Sequence, residues 1–148
     1  MKALQRIIKF IRLPFKEKLL MGEAVFYLLW YSFLIYIIPF RWWESNIGKK
    51  MQPLNHEEID SETILLIKQV RRAVFRANKL LWGLGKCFAI SLSMKKMLKK
   101  LGIESTLYLG VYNMSYSNIS AHAWLNSNIA IYGENDFKLK YIQLIAFT

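Results

Sequence analysis

Two short stretches of the chain carry the residue types that nucleophilic catalysis needs. The segment GKCFAISLSMKKML, residues 85–98, contains the only cysteine of the 148 residues, and SAHAWLN, residues 120–126, contains one of the two histidines. A thiolate can attack a carbonyl carbon, and an imidazole beside it can take the thiol proton and return it to a leaving amine. Cys87 and His122 are therefore candidates for the nucleophile and the general base of a cysteine enzyme.

The residues after Cys87 predict a helix that begins at or beside the thiol. Apolar residues from Phe88 to Leu101 recur at helical spacing between lysines, and Gly102 supplies a stop. At a helix N-terminus the unpaired amides and the helix dipole favour a thiolate, and Lys86 acts in the same direction. The Cys87 backbone amide is then a candidate donor to an oxyanion. The competing interpretation is that Cys87 fills a core position, as free cysteines usually do.

His122 lies in a stretch that is typical of a β-strand. Residues 120, 122 and 124 share one face of such a strand, so His122 points to the same side as Trp124. We expect this strand to pack against the Cys87 helix. The competing interpretation is a half-buried histidine whose ring bonds a backbone carbonyl.

A catalytic imidazole also needs a group that holds its second nitrogen. The strand Ile129–Tyr132 can form a hairpin with Ala121–Leu125 through a turn at residues 127 and 128, which brings residue 131 or 132 near His122. Glu134, or alternatively Asp136, would then lie near the imidazole. The competing interpretation for each is an acid on a solvent-exposed loop.

The order of these patterns predicts an α+β fold. Helical patterns fill the first hundred residues, and stretches rich in β-branched and aromatic residues follow. We expect a single domain over 1–148, with an N-terminal helical region at 1–50 and a core at 55–148. A pair formed by Asn55 and Glu58 is predicted to cap the first core helix. The predicted strands are Thr106–Tyr112, Ala121–Leu125, Ile129–Tyr132 and Tyr141–Phe147.

The N-terminal region raises the question of a membrane. Lys2–Leu13 reads as a short basic amphipathic helix that Pro14 stops, and Ala24–Phe40 is uncharged for 17 residues. That length is the minimum for a spanning helix, and basic residues lie on both sides of it. We favour a helix that packs on the domain or on a partner, and we expect Pro39 to end it. A helix in the membrane interface stays open.

Charge and composition argue against a nucleic-acid-binding protein and against secretion. The net charge is +11, and 19 of the 21 Lys and Arg residues precede residue 103. We expect no nucleic-acid binding, because no basic reading helix with interleaved aromatics is present. The basic residues form either a solvated face or a surface for an acidic peptide, a protein partner or an anionic membrane. A single cysteine predicts a reducing, cytoplasmic setting, with membrane association left open.

The sequence predicts no metal and no cofactor. His56 and His122 are far apart in the chain, and one cysteine supplies no cluster of ligands. No glycine-rich phosphate loop occurs, so we expect no bound nucleotide.

Residues 82–125 carry a pattern that resembles a known family. The order W…KCFAISLSMKKMLKKLGI…LYLGVY…AHAWL, together with EAV…PFRWW near the N-terminus, resembles the B protein of lasso-peptide biosynthesis. That protein is a leader peptidase in the transglutaminase-like superfamily of cysteine proteases. The resemblance covers nearly the whole chain.

The resemblance implies a Cys-His-acid peptidase that removes the leader from a ribosomally made precursor peptide. Cys87 matches the nucleophile and His122 the base. The family usually has Asp at the third position, where this chain has Glu134 with Asp136 close behind, and Asn126 stands where the family often has an acid. Trp82 and Trp124 are the candidates for contact with the substrate.

The resemblance also implies partners. This chain looks like the split form of the family, which lacks a leader-recognition domain, so a separate small recognition protein should deliver the precursor. An ATP-dependent cyclase then closes the lactam ring. The basic, aromatic N-terminal helices are candidates for the docking surface. Two other functions stay open: an acyltransferase of the same fold, and a membrane-associated adaptor without catalysis.

Overall fold

The computed structural model describes residues 12–50, 58–115, 118–127, 129–132 and 141–148. In these ranges three helices precede a four-stranded antiparallel sheet, so the fold is α+β. The strands lie side by side in the order β3-β2-β1-β4. The elements are α1 Phe15–Ile37, α2 Ser61–Leu80, α3 Cys87–Lys100, β1 Thr106–Ser115, β2 Asn118–Asn126, β3 Ala130–Tyr132 and β4 Ile142–Phe147.

Prolines mark both ends of α1. The helix begins directly after Pro14 and ends at Ile37, and Ile38 is extended at φ −111° and ψ 128°. A residue before proline is pushed out of helical geometry, so the predicted stop ahead of Pro39 is confirmed. Two short 3₁₀ turns follow, Phe40–Trp42 and Glu44–Asn46. Residues 2–11 of the predicted N-terminal helix lie outside the described residues.

The predicted cap of α2 is wrong. Residues 58–60 are not helical, and the helix begins at Ser61. Asp60 is the cap, since its carboxylate accepts a hydrogen bond of 3.2 Å from the Thr63 amide. An aspartate satisfies a free first-turn amide well, which explains why the helix starts there. Asn55 lies outside the described residues.

The helices bury one face of the sheet. Alternate residues of β1 and β2 enter the core, among them Leu107, Ala123 and Leu125, and Phe147 of β4 joins them. The Ser91 hydroxyl of α3 lies 3.5 Å from the Ala123 carbonyl oxygen, which confirms that β2 packs against this helix. Side chains alternate along a strand, so His122 and Trp124 belong to the other face.

Helix α1 packs on the core along one side. Met21, Ala24, Leu28 and Ser32 are buried, whereas large apolar residues cover the opposite side. Of the described helices, α1 is the one long and apolar enough to cross a membrane, and 28% of its most apolar window is buried. A core helix or a weak membrane anchor would satisfy the same criteria of length and composition. The exposed residues on α1 are Phe15, Leu19, Phe26, Leu29, Trp30, Phe33, Tyr36 and Ile37.

Helix α3 contains a buried amine. Lys95 is 7% exposed, and its ammonium donates a hydrogen bond to the Ser105 carbonyl oxygen. Burial, followed by repulsion from Lys99, lowers the pKa of Lys95 from 10.5 to about 8, while Glu104 acts in the opposite direction. Below pH 8 the folded protein therefore keeps a charge at a site that disfavours it.

This shift predicts a pH dependence of stability that Lys95→Met should remove. Between pH 8 and 10.5 the unfolded chain holds a proton that the folded chain has lost, so the free energy of unfolding rises with pH. From pH 7 to pH 10 the wild type should gain about 1–3 kcal/mol relative to Lys95→Met. Urea unfolding of both proteins at the two pH values measures the difference. Parallel pH profiles would contradict the prediction.

Candidate active site

Cys87 is the first residue of α3, as the sequence predicts. Lys86 precedes it in extended conformation, and no side chain in the described ranges caps the helix. The first bond of the helix runs from the Ile90 amide to the Lys86 carbonyl oxygen at 2.9 Å. Earlier amides in the turn therefore have no partner within the helix. Cys87 is half-buried at the start of this turn, and free amides at a helix N-terminus can stabilise a negative charge.

Two hydrogen bonds form a clamp between α2 and the loop that leads into α3, just ahead of the thiol. The Asn78 side chain accepts a hydrogen bond of 2.8 Å from the Gly85 amide and donates one of 3.2 Å to the Gly85 carbonyl oxygen. A Cβ atom at Gly85 would lie 2.7 Å from a methyl carbon of Leu28 and 2.9 Å from the Asn78 side-chain oxygen. A side chain at this position, two residues ahead of Cys87, would therefore displace the Leu28 or the Asn78 side chain.

Loss of the clamp should lower activity more than stability alone explains. In Asn78→Ala the Gly85 amide and carbonyl both lose their partner, and the thiol is free to shift from its attacking position. We expect catalysis to fall about 10- to 100-fold. The readout is kcat under conditions where the variant is fully folded. Gln69→Ala, at an exposed position of the same helix, is the matched control, and equal rates for the two variants would contradict a positioning role.

Aromatic residues from the segment that follows α1 pack on the first turn of α3. The Phe88 ring lies 5.9 Å from the Trp43 ring and 5.8 Å from the Phe40 ring. Phe40 also packs on Phe147 of β4 at 6.2 Å. The residue next to the thiol is thus fixed both to this segment and to the sheet. Because Trp43 is 6% exposed, we assign it to this packing and not to a docking surface.

His122 lies in the middle of β2, opposite Gly110 of β1. Its ring lies 5.3 Å from the Tyr141 ring, 6.3 Å from the Trp124 ring and 6.4 Å from the Tyr132 ring, measured between centroids. A Cβ atom at Gly110 would lie 2.8 Å from the Trp124 indole. Glycine therefore lets the indole lie flat beside the imidazole.

Trp124 supports the imidazole from within the protein. It is 5% exposed and stacks on Tyr108 at 5.6 Å with an angle of 10° between the rings. An indole buried to this extent offers little surface to a peptide. Trp82, by contrast, is 90% exposed. Its φ of 51° lies in the left-handed region, which is unusual for a bulky side chain.

Tyr132 lies beside His122 and within electrostatic range of Cys87. Its ring lies 6.4 Å from the imidazole. Burial, and after it the electrostatic effect of Cys87, raises the pKa of the Tyr132 phenol above its ordinary value. The predicted hairpin between β2 and β3 is present, with Leu125 opposite Tyr132, and it brings this residue to the imidazole.

His122 and the core residues of β2 lie on opposite faces of the sheet. Ala123 and Leu125 face the helices, whereas His122 belongs to the other face of β2. Tyr132 of the neighbouring strand β3 lies beside the imidazole. The sequence indicates that Tyr132 lies near His122 only through the predicted hairpin. It does not indicate the Asn78 clamp.

Two site predictions remain, the acid that orients His122 and the absence of a metal. Glu134 and Asp136 lie outside them, so the acid that orients His122 stays a prediction. Among the residues that are described, no group of three His, Cys, Asp or Glu side chains could hold a metal ion.

Comparison with known proteins assigns the chain to a family. Residues 31–146 match the model of the transglutaminase-like superfamily, which extends from the second half of α1 into β4. No curated protein and no solved structure matches the chain. Enzymes of this superfamily are generally cysteine proteases or acyltransferases. With a match over more than half of its length, the chain belongs to the transglutaminase-like superfamily.

Proposed function

We propose that this protein is a cysteine peptidase that removes the leader from a ribosomally made precursor peptide, as in lasso-peptide biosynthesis. The observation that carries the proposal is the position of Cys87 at a helix start that no described side chain caps, within electrostatic range of a tyrosine that lies beside the His122 ring. The sequence resemblance to the lasso-peptide B proteins names the substrate class.

The proposed reaction needs only these groups and water. The Cys87 thiolate attacks the scissile carbonyl carbon, and the first-turn amides of α3 stabilise the oxyanion. The C–N bond breaks, and the core peptide leaves as an amine with a proton from His122. The leader stays on Cys87 as a thioester. Water then attacks the thioester, gives its proton to His122 and releases the leader as a carboxylic acid.

We further propose that the exposed face of α1 docks a small leader-recognition protein. Phe26 is 60% exposed, Trp30 49% and Phe33 52%, and Trp42 beyond the helix is 76% exposed. An exposed apolar patch of this size marks an interaction site. In this proposal a separate ATP-dependent cyclase acts on the core peptide after release. Membrane contact through α1 is the competing occupant, and flotation of the protein with liposomes would favour it.

Cleavage should depend on the recognition protein. A precursor that finds few contacts near its scissile bond binds weakly, whereas a partner that holds both leader and peptidase raises the effective concentration of that bond. We expect the partner to accelerate cleavage about 10- to 100-fold at matched concentrations. Mass spectrometry of the precursor, incubated with this protein and with or without the partner, gives the two rates.

Matched variants identify the docking face. Phe33→Ser should reduce the acceleration and leave alkylation of Cys87 unchanged. Leu144→Ser removes a side chain of similar exposure from β4 and is the control. Full-rate cleavage without a partner would contradict the split system.

An acyltransferase is the second candidate, because the superfamily includes enzymes of that kind. The same incubation with an added primary amine separates the two reactions. Hydrolysis adds water across one bond of the precursor, whereas transfer joins the leader fragment to the amine.

A further inference from the structure

The outer side of α2 forms an open groove with a strong positive charge. Five of its six lining side chains are cationic, and an aromatic ring lies among them. The residues recur at helical spacing, so they share one face along twelve residues, or about 16 Å of helix. This α2 groove is lined by Lys68, Arg71, Arg72, Phe75, Arg76 and Lys79.

Most of this charge has no carboxylate partner in the described ranges. Arg76 pairs with Glu17 at 2.7 Å, and Arg71 lies over the Phe75 ring at 5.6 Å. Lys68, Arg71, Arg72 and Lys79 make no ion pair with any described acid. Like charges on one helix face repel each other and cost stability. An anionic occupant would remove that cost.

The α2 groove leads to the candidate active site. The Phe75 ring lies 5.7 Å from the Tyr132 ring, which in turn lies 6.4 Å from the His122 ring. At the end of the helix, Lys79 follows Asn78, whose side chain holds Gly85 ahead of the thiol. A ligand in the groove would thus extend towards Cys87.

We propose that the α2 groove binds an acidic segment of the peptide substrate and leads its scissile bond towards Cys87. The proposal rests on the proposed function and names the chemistry of its substrate. About 16 Å accommodates roughly five residues of extended peptide. A peptide is favoured over a nucleic acid because Lys79, at one end of the groove, follows Asn78, whose side chain binds the loop ahead of Cys87, and a thiol can attack a carbonyl.

A binding assay that needs no cleavage tests the groove. The probe is a fluorescein-labelled ten-residue peptide rich in Glu and Asp, and its counterpart carries Gln and Asn instead. Binding is measured by fluorescence polarisation with the Cys87→Ala protein. The acidic probe should bind, and the amide probe should bind about tenfold more weakly or worse.

Two charge-reversed variants locate the binding surface. The double variant Lys68→Glu/Lys79→Glu should bind the acidic probe about tenfold more weakly than the parent protein. The control is Lys96→Glu/Lys99→Glu, which changes the net charge equally at exposed positions of α3. Its affinity for the probe should fall less than about twofold. Equal effects of the two variants would overturn the proposal. An oligonucleotide or anionic vesicles that bind more tightly and displace the probe would overturn it in favour of a nucleic acid or a membrane.

Alkylation tests whether the groove leads to the thiol. An acidic peptide with a chloroacetyl group at one end should alkylate Cys87 of the wild type at least about tenfold faster than the amide peptide. The Lys68→Glu/Lys79→Glu variant should lose this advantage and the Lys96→Glu/Lys99→Glu variant should keep it. Binding without any alkylation advantage would overturn the delivery to Cys87. If the protein binds and delivers the acidic peptide but cleaves no precursor, the proposed role of the groove is supported and the proposed peptidase activity is rejected.

Discussion

Replacing Cys87 with alanine is expected to abolish leader removal. The thiolate forms the bond to the scissile carbonyl, and an alanine methyl group offers no nucleophile in its place. We expect a loss of at least about 10⁴-fold, because no other group in the site can take over a covalent step. The measurement is the rate of precursor cleavage, with the recognition protein present.

The variant needs a test that it remains folded. Cys87 is half-buried at a helix start, so removal of its sulfur should shift thermal unfolding only slightly. In the wild type, iodoacetamide at neutral pH should modify Cys87 faster than a cysteine in the unfolded chain. Full cleavage by Cys87→Ala would reject the enzyme altogether.

His122→Ala should be nearly as inactive as the cysteine variant. Without the imidazole, no group receives the thiol proton or protonates the leaving amine. We expect a loss of about 10³- to 10⁴-fold, and the double variant with Cys87→Ala should be no worse than the single one, because residues that act as a unit are not additive. Steady-state and single-turnover rates measure both effects.

The control for His122 lies on the same strand. Ser120→Ala removes a hydroxyl that lies 3.2 Å from the Tyr141 hydroxyl, and it leaves the imidazole in place. This variant should keep most of the activity. A His122→Ala protein as active as Ser120→Ala would show that His122 is a structural residue.

Glu134→Gln and Asp136→Asn should separate the two candidate orienters. The second nitrogen of the imidazole donates its hydrogen bond to one carboxylate, so only one of the variants should lose activity strongly. If both keep full activity, an amide or a backbone carbonyl holds the second nitrogen.

The elements that carry the site could be predicted because each has a local signal. The helix from Cys87 follows from apolar spacing that ends at Gly102, and the structure has it at Cys87–Lys100. The hairpin of β2 and β3 follows from two apolar runs around a short polar turn, and it too is present. Local patterns of this kind depend on neighbours within a few residues.

The contacts that position the thiol had no such signal. The Asn78 clamp depends on how a loop folds back on α2, and the packing of Trp43 on Phe88 joins residues far apart in the chain. Asp60 caps α2 in place of the predicted pair because the helix starts several residues later than the spacing indicated. The side of β2 that faces the helices likewise depends on tertiary packing.

The exposed face of α1 could not be assigned from sequence either. Its apolar residues surround the helix, so the pattern has little contrast between a buried and an exposed side. Only packing shows that Ala24 and Leu28 face the core and that Phe26 and Phe33 do not.

A covalent bond between Cys87 and the substrate can be detected directly by one measurement. The protein, its recognition partner and the precursor are mixed, quenched in acid within the first turnover and analysed by intact-protein mass spectrometry. We predict a species heavier than the protein by the leader minus one water, with the modification on Cys87 and a parallel release of core peptide. Core release at full rate with no adduct at any time, together with full activity of Cys87→Ala, would contradict the account.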